Sequence, residues 1–149
     1  MSHALGARHG VAHGSGNAIL LPHVMRFNSC LVPSLRSGPS QDFDLHSAWR
    51  PRCRFNAGRP EGAKRLKDVA VALGLTVPND PVEAANLAAD KISELLVATG
   101  HPVKLAQVKV PKDDLEATAE SAFLDAANLY NARAVSFPAE ITELYQGAY

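Results

Sequence analysis

The sequence predicts an all-α protein, a bundle of about five helices interrupted by one long irregular stretch. Two observations carry that prediction. Apolar residues recur at helical spacing in segment after segment, and most of these segments open or close on aspartate, proline or glycine. No stretch sustains the apolar–polar alternation of a half-buried strand. At 149 residues the chain is one domain's worth and long enough to bury a real core.

The first stretch, Ser2 to Asn28, is the most informative. Its opening half holds His3, His9 and His13, three of the six histidines, together with Gly6, Gly10, Gly14 and Gly16, four of the ten glycines. His3 and His13 are too far apart for adjacent turns of one straight helix, so glycines between them must break the chain to bring both imidazoles together. The pattern reads as a helix end through about Ala7, a glycine-rich loop, and a new helix entered near His13-Gly14-Ser15. Imidazole nitrogens beside the N–H groups of that helix start suit a metal and an anionic oxygen. A pair of surface or capping histidines is the structural alternative.

The same residues resemble the second signature of the iron-containing (group III) alcohol dehydrogenases, roughly H-x-x-x-H-x-L-G, a spacer, then H-G-x-x-N-A-x-x-L-P-H-V. Here the pattern reads Ser2-His3-Ala4-Leu5-Gly6, His13-Gly14, Asn17-Ala18 and Leu21-Pro22-His23-Val24. The resemblance implies that His13 is a metal ligand and that His3 is a catalytic residue lying beside the nicotinamide cofactor and the substrate. It places the first ligand histidine four residues before His3, one position ahead of Met1. An aspartate and another histidine ligand, and the dinucleotide-binding domain with its phosphate loop, belong upstream as well. On that resemblance the chain reads as a C-terminal helical domain cut within its own metal motif and inactive alone. Met1 falls where the family often has an internal methionine, which points to a wrongly chosen start.

The first full helix is expected over about Gly16 to Phe27, with Ile19, Leu20, Val24 and Phe27 close to one face. Pro22 lies inside it and should weaken or kink it by removing a backbone donor. His23 reads as a capping or buried structural histidine, not a further ligand.

From Ser29 to about Pro60 the period is lost. This stretch holds Cys30, His46, Trp49 and Cys53, and no metal site is assigned to its cysteines and histidine. A structureless loop of that length is unusual inside a compact domain. Arg26-Phe27-Asn28 recurs as Arg54-Phe55-Asn56, and removing the residues after Asn28 through Asn56 would join two helices by an ordinary connection. The segment therefore reads as an insertion bounded by a short repeat, or as an error at the level of the gene.

The second helix is expected from about Glu61 to Leu73, with Leu66, Val69, Ala70 and Leu73 toward the core and Gly74 as its stop. Asp80-Pro81-Val82-Glu83 opens the third with an N-cap, a proline at the first position and a glutamate at the third. Leu87, Ile92, Leu95 and Leu96 are expected to supply much of its buried face, and Gly100 to end it. His101 to Leu105 reads as an extended linker, with His101 facing solvent. Asp113 is expected to cap the fourth helix, whose stripe is Leu115, Ala119, Ala122, Ala126 and Leu129. Small residues there allow close helix contact. Glu116, Glu120 and Asp125 read as solvated side chains. The chain then turns through Asn131-Ala132-Arg133, which resembles the family's N-P-R turn with alanine for proline, into a last short helix from Pro138 to about Gln146.

Lysine plus arginine equals aspartate plus glutamate at 15 each, so nothing favours a nucleic-acid partner, and neutrality predicts poor solubility if an apolar face stays uncovered. No apolar run approaches the roughly 18 to 20 residues of a membrane span, and the N-terminus is not built as a signal peptide. Two cysteines make no disulfide framework. A cytoplasmic location is expected.

Through the resemblance, the implied activity is NAD(P)-linked oxidation of a small alcohol, or reduction of an aldehyde, with a divalent metal (Fe2+ or Zn2+) holding the alcohol oxygen. Two alternatives stand beside a truncated dehydrogenase. One is half of a split enzyme with a separately encoded nucleotide-binding half. The other is a non-catalytic helical interaction module.

Overall fold

The computed structural model describes residues 1–29 and 60–149. The intervening stretch lies outside the described residues, and with it Cys30, His46, Trp49, Cys53 and the repeat Arg54-Phe55-Asn56. The described residues form six α-helices and no strand: α1 (Ser2–His9), α2 (His13–Ser29), α3 (Pro60–Ala72), α4 (Pro81–Ala98), α5 (Leu115–Phe123) and α6 (Pro138–Gly147). Short 3-10 turns at Leu105–Val108, Lys112–Asp114 and Ala126–Tyr130 join the later helices. The expected helix end runs to His9 and spans eight residues here, Ser2–His9. Both edges of the stretch expected to be irregular, Ser29 and Pro60, are helical.

Most boundaries follow local chemistry. Asp80 caps α4 by accepting the Val82 N–H at 3.0 Å, and Pro81 fills the first position, where a missing donor costs nothing. Gly74 and Gly100 end α3 and α4 with positive φ. Pro22 does not end α2. The helix continues through it and the ring is buried, so packing outweighs the lost donor.

Helix α2 is the spine, touching α1, α3, α4 and α6. On one side lies the larger core: Leu5 from α1, Ile19 and Leu20 from α2, Leu105 and Val110 from the connection, Leu115 from α5, and Ile141 and Tyr145 from α6. The Tyr145 hydroxyl donates to the Met1 carbonyl at 2.8 Å, which pins the start of α1 onto α6. On the other side Met25, Ala70, Ala88 and Ala89 form a smaller core, with Leu66, Leu73 and Ile92 packed against it.

Several expectations about packing and caps need correction. The buried face of α4 is Ala84, Ala85, Ala88 and Ala89, while Leu87 and Leu95 are exposed. Val69 of α3 is exposed as well. The expected fourth-helix stripe stops at Ala122, because α5 ends at Phe123. Beyond it the chain tightens into a 3-10 turn that leaves Leu129 83% exposed. The residue at the N-cap position of α5 is Asp114, not Asp113, after a 3-10 turn that begins at Lys112.

The spacing of residues gave no sign of Arg133, which is only 3% exposed. Its Nη1 donates to the Phe27 carbonyl at 3.0 Å, its Nη2 to Glu140 Oε1 at 3.1 Å, and the guanidinium lies 3.8 Å from the Phe27 ring centroid. Beside it Asn28 and Asn131 exchange two amide hydrogen bonds, at 3.1 and 2.9 Å. The turn at Asn131-Ala132-Arg133 thereby fastens the C-terminal end of α2 to α6.

Candidate functional site

The loop between α1 and α2 is made by glycine. Gly10 takes φ 67°, a left-handed conformation that an L side chain adopts only with strain, and its N–H returns to the Gly6 carbonyl at 3.0 Å. A Cβ on Gly6 would stand 3.3 Å from the Val11 carbonyl oxygen, a tight contact that would push the returning loop by a few tenths of an ångström. After that reversal His13 is the first residue of α2, held beside α1 by the packing of Gly16 against Ser2 and Leu5.

The result is a histidine pair. The His3 and His13 rings stack with centroids 5.0 Å apart and planes 19° from parallel. His3 Nδ1 lies 2.7 Å from Asp125 Oδ2, and Ser2 Oγ lies 3.4 Å from His13 Nδ1. Both imidazoles are exposed, while the neighbouring Ala4 and Leu5 are buried and anchor the helix beneath them. Ser2 and Gly14 also line a cleft of about 650 Å³, whose other walls include Asn17, Leu20, Leu21 and Val24 of α2, Ile92 and Leu96 of α4, and Tyr130.

Asp125 corrects the expectation of a merely solvated carboxylate. It sits between α5 and the following 3-10 turn, where Oδ1 accepts the Ala127 N–H at 2.9 Å while Oδ2 faces His3. The Ala127 N–H first, and His3 second, hold its carboxyl below the ordinary carboxylate value. Nothing in local sequence pairs residues 122 positions apart, so this partner was not legible. Glu116 and Glu120 are exposed, as expected.

The other described histidines, His9, His23 and His101, lie elsewhere. His9 Nε2 lies 2.9 Å from Thr118 Oγ1 and 3.2 Å from Asp114, and Arg8 reaches the same aspartate through Nε at 3.1 Å and Nη2 at 2.8 Å. This cluster ties α1 to α5, and Arg8 above all holds the Asp114 carboxyl low. His23 is half-buried in α2, where burial and then Arg26 push its pKa down to about 4. His101 is exposed.

Imidazole nitrogen lone pairs lie in the ring plane, and zinc–nitrogen bonds are about 2.0 to 2.1 Å. Two stacked, nearly parallel rings do not converge on one point, so in this arrangement His3 and His13 do not present their lone pairs to a single ion. Among the described residues no group of three or more histidines, cysteines, aspartates or glutamates is arranged to hold a metal ion. None of the described helices is long and apolar enough to cross a membrane.

Over residues 1–149 the sequence matches the family described as Fe-containing alcohol dehydrogenase family, C-terminal. It is 31% identical over 150 residues to the lactaldehyde reductase of Escherichia coli (strain K12), covering 100% of this chain and 31% of that protein. To the 1,3-propanediol dehydrogenase of Citrobacter freundii it is 27% identical over 150 residues, with the same coverage. The fold superimposes on a crystal structure of 1,3-propanediol oxidoreductase with a TM-score of 0.72 and 25% identity, covering 99% of this chain and 31% of that one. The chain thus spans 31% of the length of these relatives.

Proposed function

The chain belongs to the Fe-containing alcohol dehydrogenase family, C-terminal, and on that premise we propose that it supplies one wall of the active-site cleft of a metal-dependent, NAD(P)-linked alcohol dehydrogenase. The observation that carries the reading is the histidine pair. Two residues far apart in sequence are brought ring to ring by a glycine-built reversal, above a buried anchor and beside an apolar cleft.

In this reading His13 is one metal ligand and His3 stands beside the nicotinamide and the substrate. Their stacked geometry supports separate roles, since in this arrangement the two rings do not face one ion. His13 would help hold a divalent metal, Fe2+ or Zn2+, whose chemistry would be to lower the pKa of an alcohol oxygen, and His3 would stand beside a bound NAD(P) that would supply hydride acceptance. The described residues do not by themselves fit the metal, because a catalytic ion commonly has at least three protein ligands. In this reading the remaining ligands and the dinucleotide site are not among the described residues, and the chain alone is inactive. Substrates are small alcohols or aldehydes, the class named by the lactaldehyde and propanediol relatives.

A second reading, a non-catalytic interaction module, draws on Leu124, Leu129 and Tyr130. All three are more than four-fifths exposed on the turn after α5. The same surface serves a docked catalytic half equally well.

The test is a fusion of this chain to the segment of E. coli lactaldehyde reductase that precedes the matched region. The fusion is expected to bind one equivalent of iron or zinc and to reduce NAD(P) with a small diol. His13→Ala should abolish metal binding, and His3→Ala should keep the metal and lose turnover. A fusion whose metal content is the same with and without His13 would sink the reading.

A further inference from the structure

Building on the placement of His3 beside the substrate, we propose that Asp125 is the positioning residue for His3, fixing the neutral imidazole in its Nδ1–H form and leaving Nε2 as the acceptor nitrogen. The warrant is geometric. An ionised carboxylate only accepts hydrogen bonds, so an imidazole nitrogen 2.7 Å from Asp125 Oδ2 must carry the proton. In neutral imidazole the other nitrogen then bears the lone pair. Nε2 is thereby available to accept a hydrogen bond from a hydroxyl, the group that an alcohol substrate offers.

The carboxylate is itself held still. Its second oxygen is committed to the Ala127 N–H, and the 3-10 turn it caps is closed by Asn128, whose side-chain amide donates to the carbonyls of Ala122 and Phe123. On the other side the His3 ring is stacked on His13. Ring plane and tautomer are therefore set from two directions, by elements that α1 meets only in the folded chain. Capping alone does not require this residue, since serine or asparagine caps a helical turn as well. The second oxygen, on His3, is what aspartate adds.

Asp125→Ser separates the two jobs, because serine keeps the cap and is too short to reach His3. In the full chain, long-range 15N–1H spectra of the histidine rings, taken where His3 is neutral, should show the Nδ1–H form. In Asp125→Ser the His3 nitrogens should move toward the Nε2–H form, with helix content unchanged. In the fusion described above, Asp125→Ser should keep its metal and KM and lose kcat by on the order of ten- to a hundredfold, the size of effect seen when the partner orienting a metal-bound imidazole is removed. Unchanged ring nitrogens, or unchanged kcat in an active fusion, would overturn the proposal. If the fusion is inactive, the functional reading fails, and the spectra of the chain still decide whether Asp125 sets His3.

Discussion

Where α1, α2, α5 and α6 meet, the interior is made of large side chains: Leu5, Ile19, Leu115, Ile141 and Tyr145 are all essentially inaccessible. Where α3 and α4 meet α2, the buried centre among the described residues is Ala70, Ala88 and Ala89 with Met25, the partly buried Leu66, Leu73 and Ile92 pack against it, and Leu87, Leu95 and Val97 lie outside. The first region gains stability from the area each side chain removes from water. The second gains it from the close approach that small residues permit, at less buried area per residue. The histidine pair rides on the first region. Its neighbours Ala4 and Leu5 are locked, so an eight-residue helix, too short to persist alone, can still hold an imidazole in place. The apolar side of the cleft, by contrast, draws Ile92 and Leu96 from α4 in the second region.

That contrast predicts opposite sensitivities. Leu5→Ala should cost about 2 to 5 kcal/mol, the transfer term plus an unfilled cavity, and should also disturb the stacking of His3 on His13. Leu95→Ala, at 45% exposure, should stay within about 0.5 kcal/mol. Urea unfolding midpoints of the two variants measure the difference, and similar costs would break the comparison.

The smaller core should fail by enlargement instead. Ala88 is fully buried between helices, so Ala88→Leu must push α4 away and should cost about 1 to 3 kcal/mol. Chemical denaturation of that variant is the measurement. A neutral outcome would mean that α4 is loosely seated and that its alanine face does not set the helix separation.

How much of this was legible depended on whether the signal was local. Asp80-Pro81, Gly10, Gly74 and Gly100 act on their own backbone, and the helix ends lie where they put them. The meeting of His3 and His13 was legible too, because a glycine loop leaves the chain few ways to fold back. The face of α4 was not. Alanines and leucines both recur at helical spacing there, and periodicity says which residues share a face without saying which face meets protein. Hydrophobicity favoured the leucines, while the packing chose the residues that let helices touch. Arg133 and Asp125 were missed for a related reason. Each is an ordinary surface residue type with one partner over a hundred positions away, Phe27 for Arg133 and His3 for Asp125. The family signature drew attention to His3 but not to the carboxylate that holds it.

The smallest effect concerns α2, the element both regions share. His23 is half-buried there with its pKa lowered to about 4, whereas an unfolded histidine titrates near 6.5. Between those values the unfolded chain binds more protons than the folded one, so stability must fall as pH falls. The contribution is fully present above about pH 6.5 and is lost progressively toward about pH 4. Asp114 and Asp125 have depressed pKa values, so their contributions are present above the ordinary carboxylate value of 3.8 and are lost only as the pH falls below it. The two pH windows barely overlap, while burial also lowers the Met1 amino group from its ordinary value, so the His23 part is assigned by comparison with a variant that lacks it. Thermal midpoints recorded from pH 7.5 to 4.5 should decline in the unmodified chain and decline less in His23→Gln. An unchanged slope would show that protonated His23 is accommodated without loss, and that α2 is looser at Pro22 and His23 than its continuous helix implies.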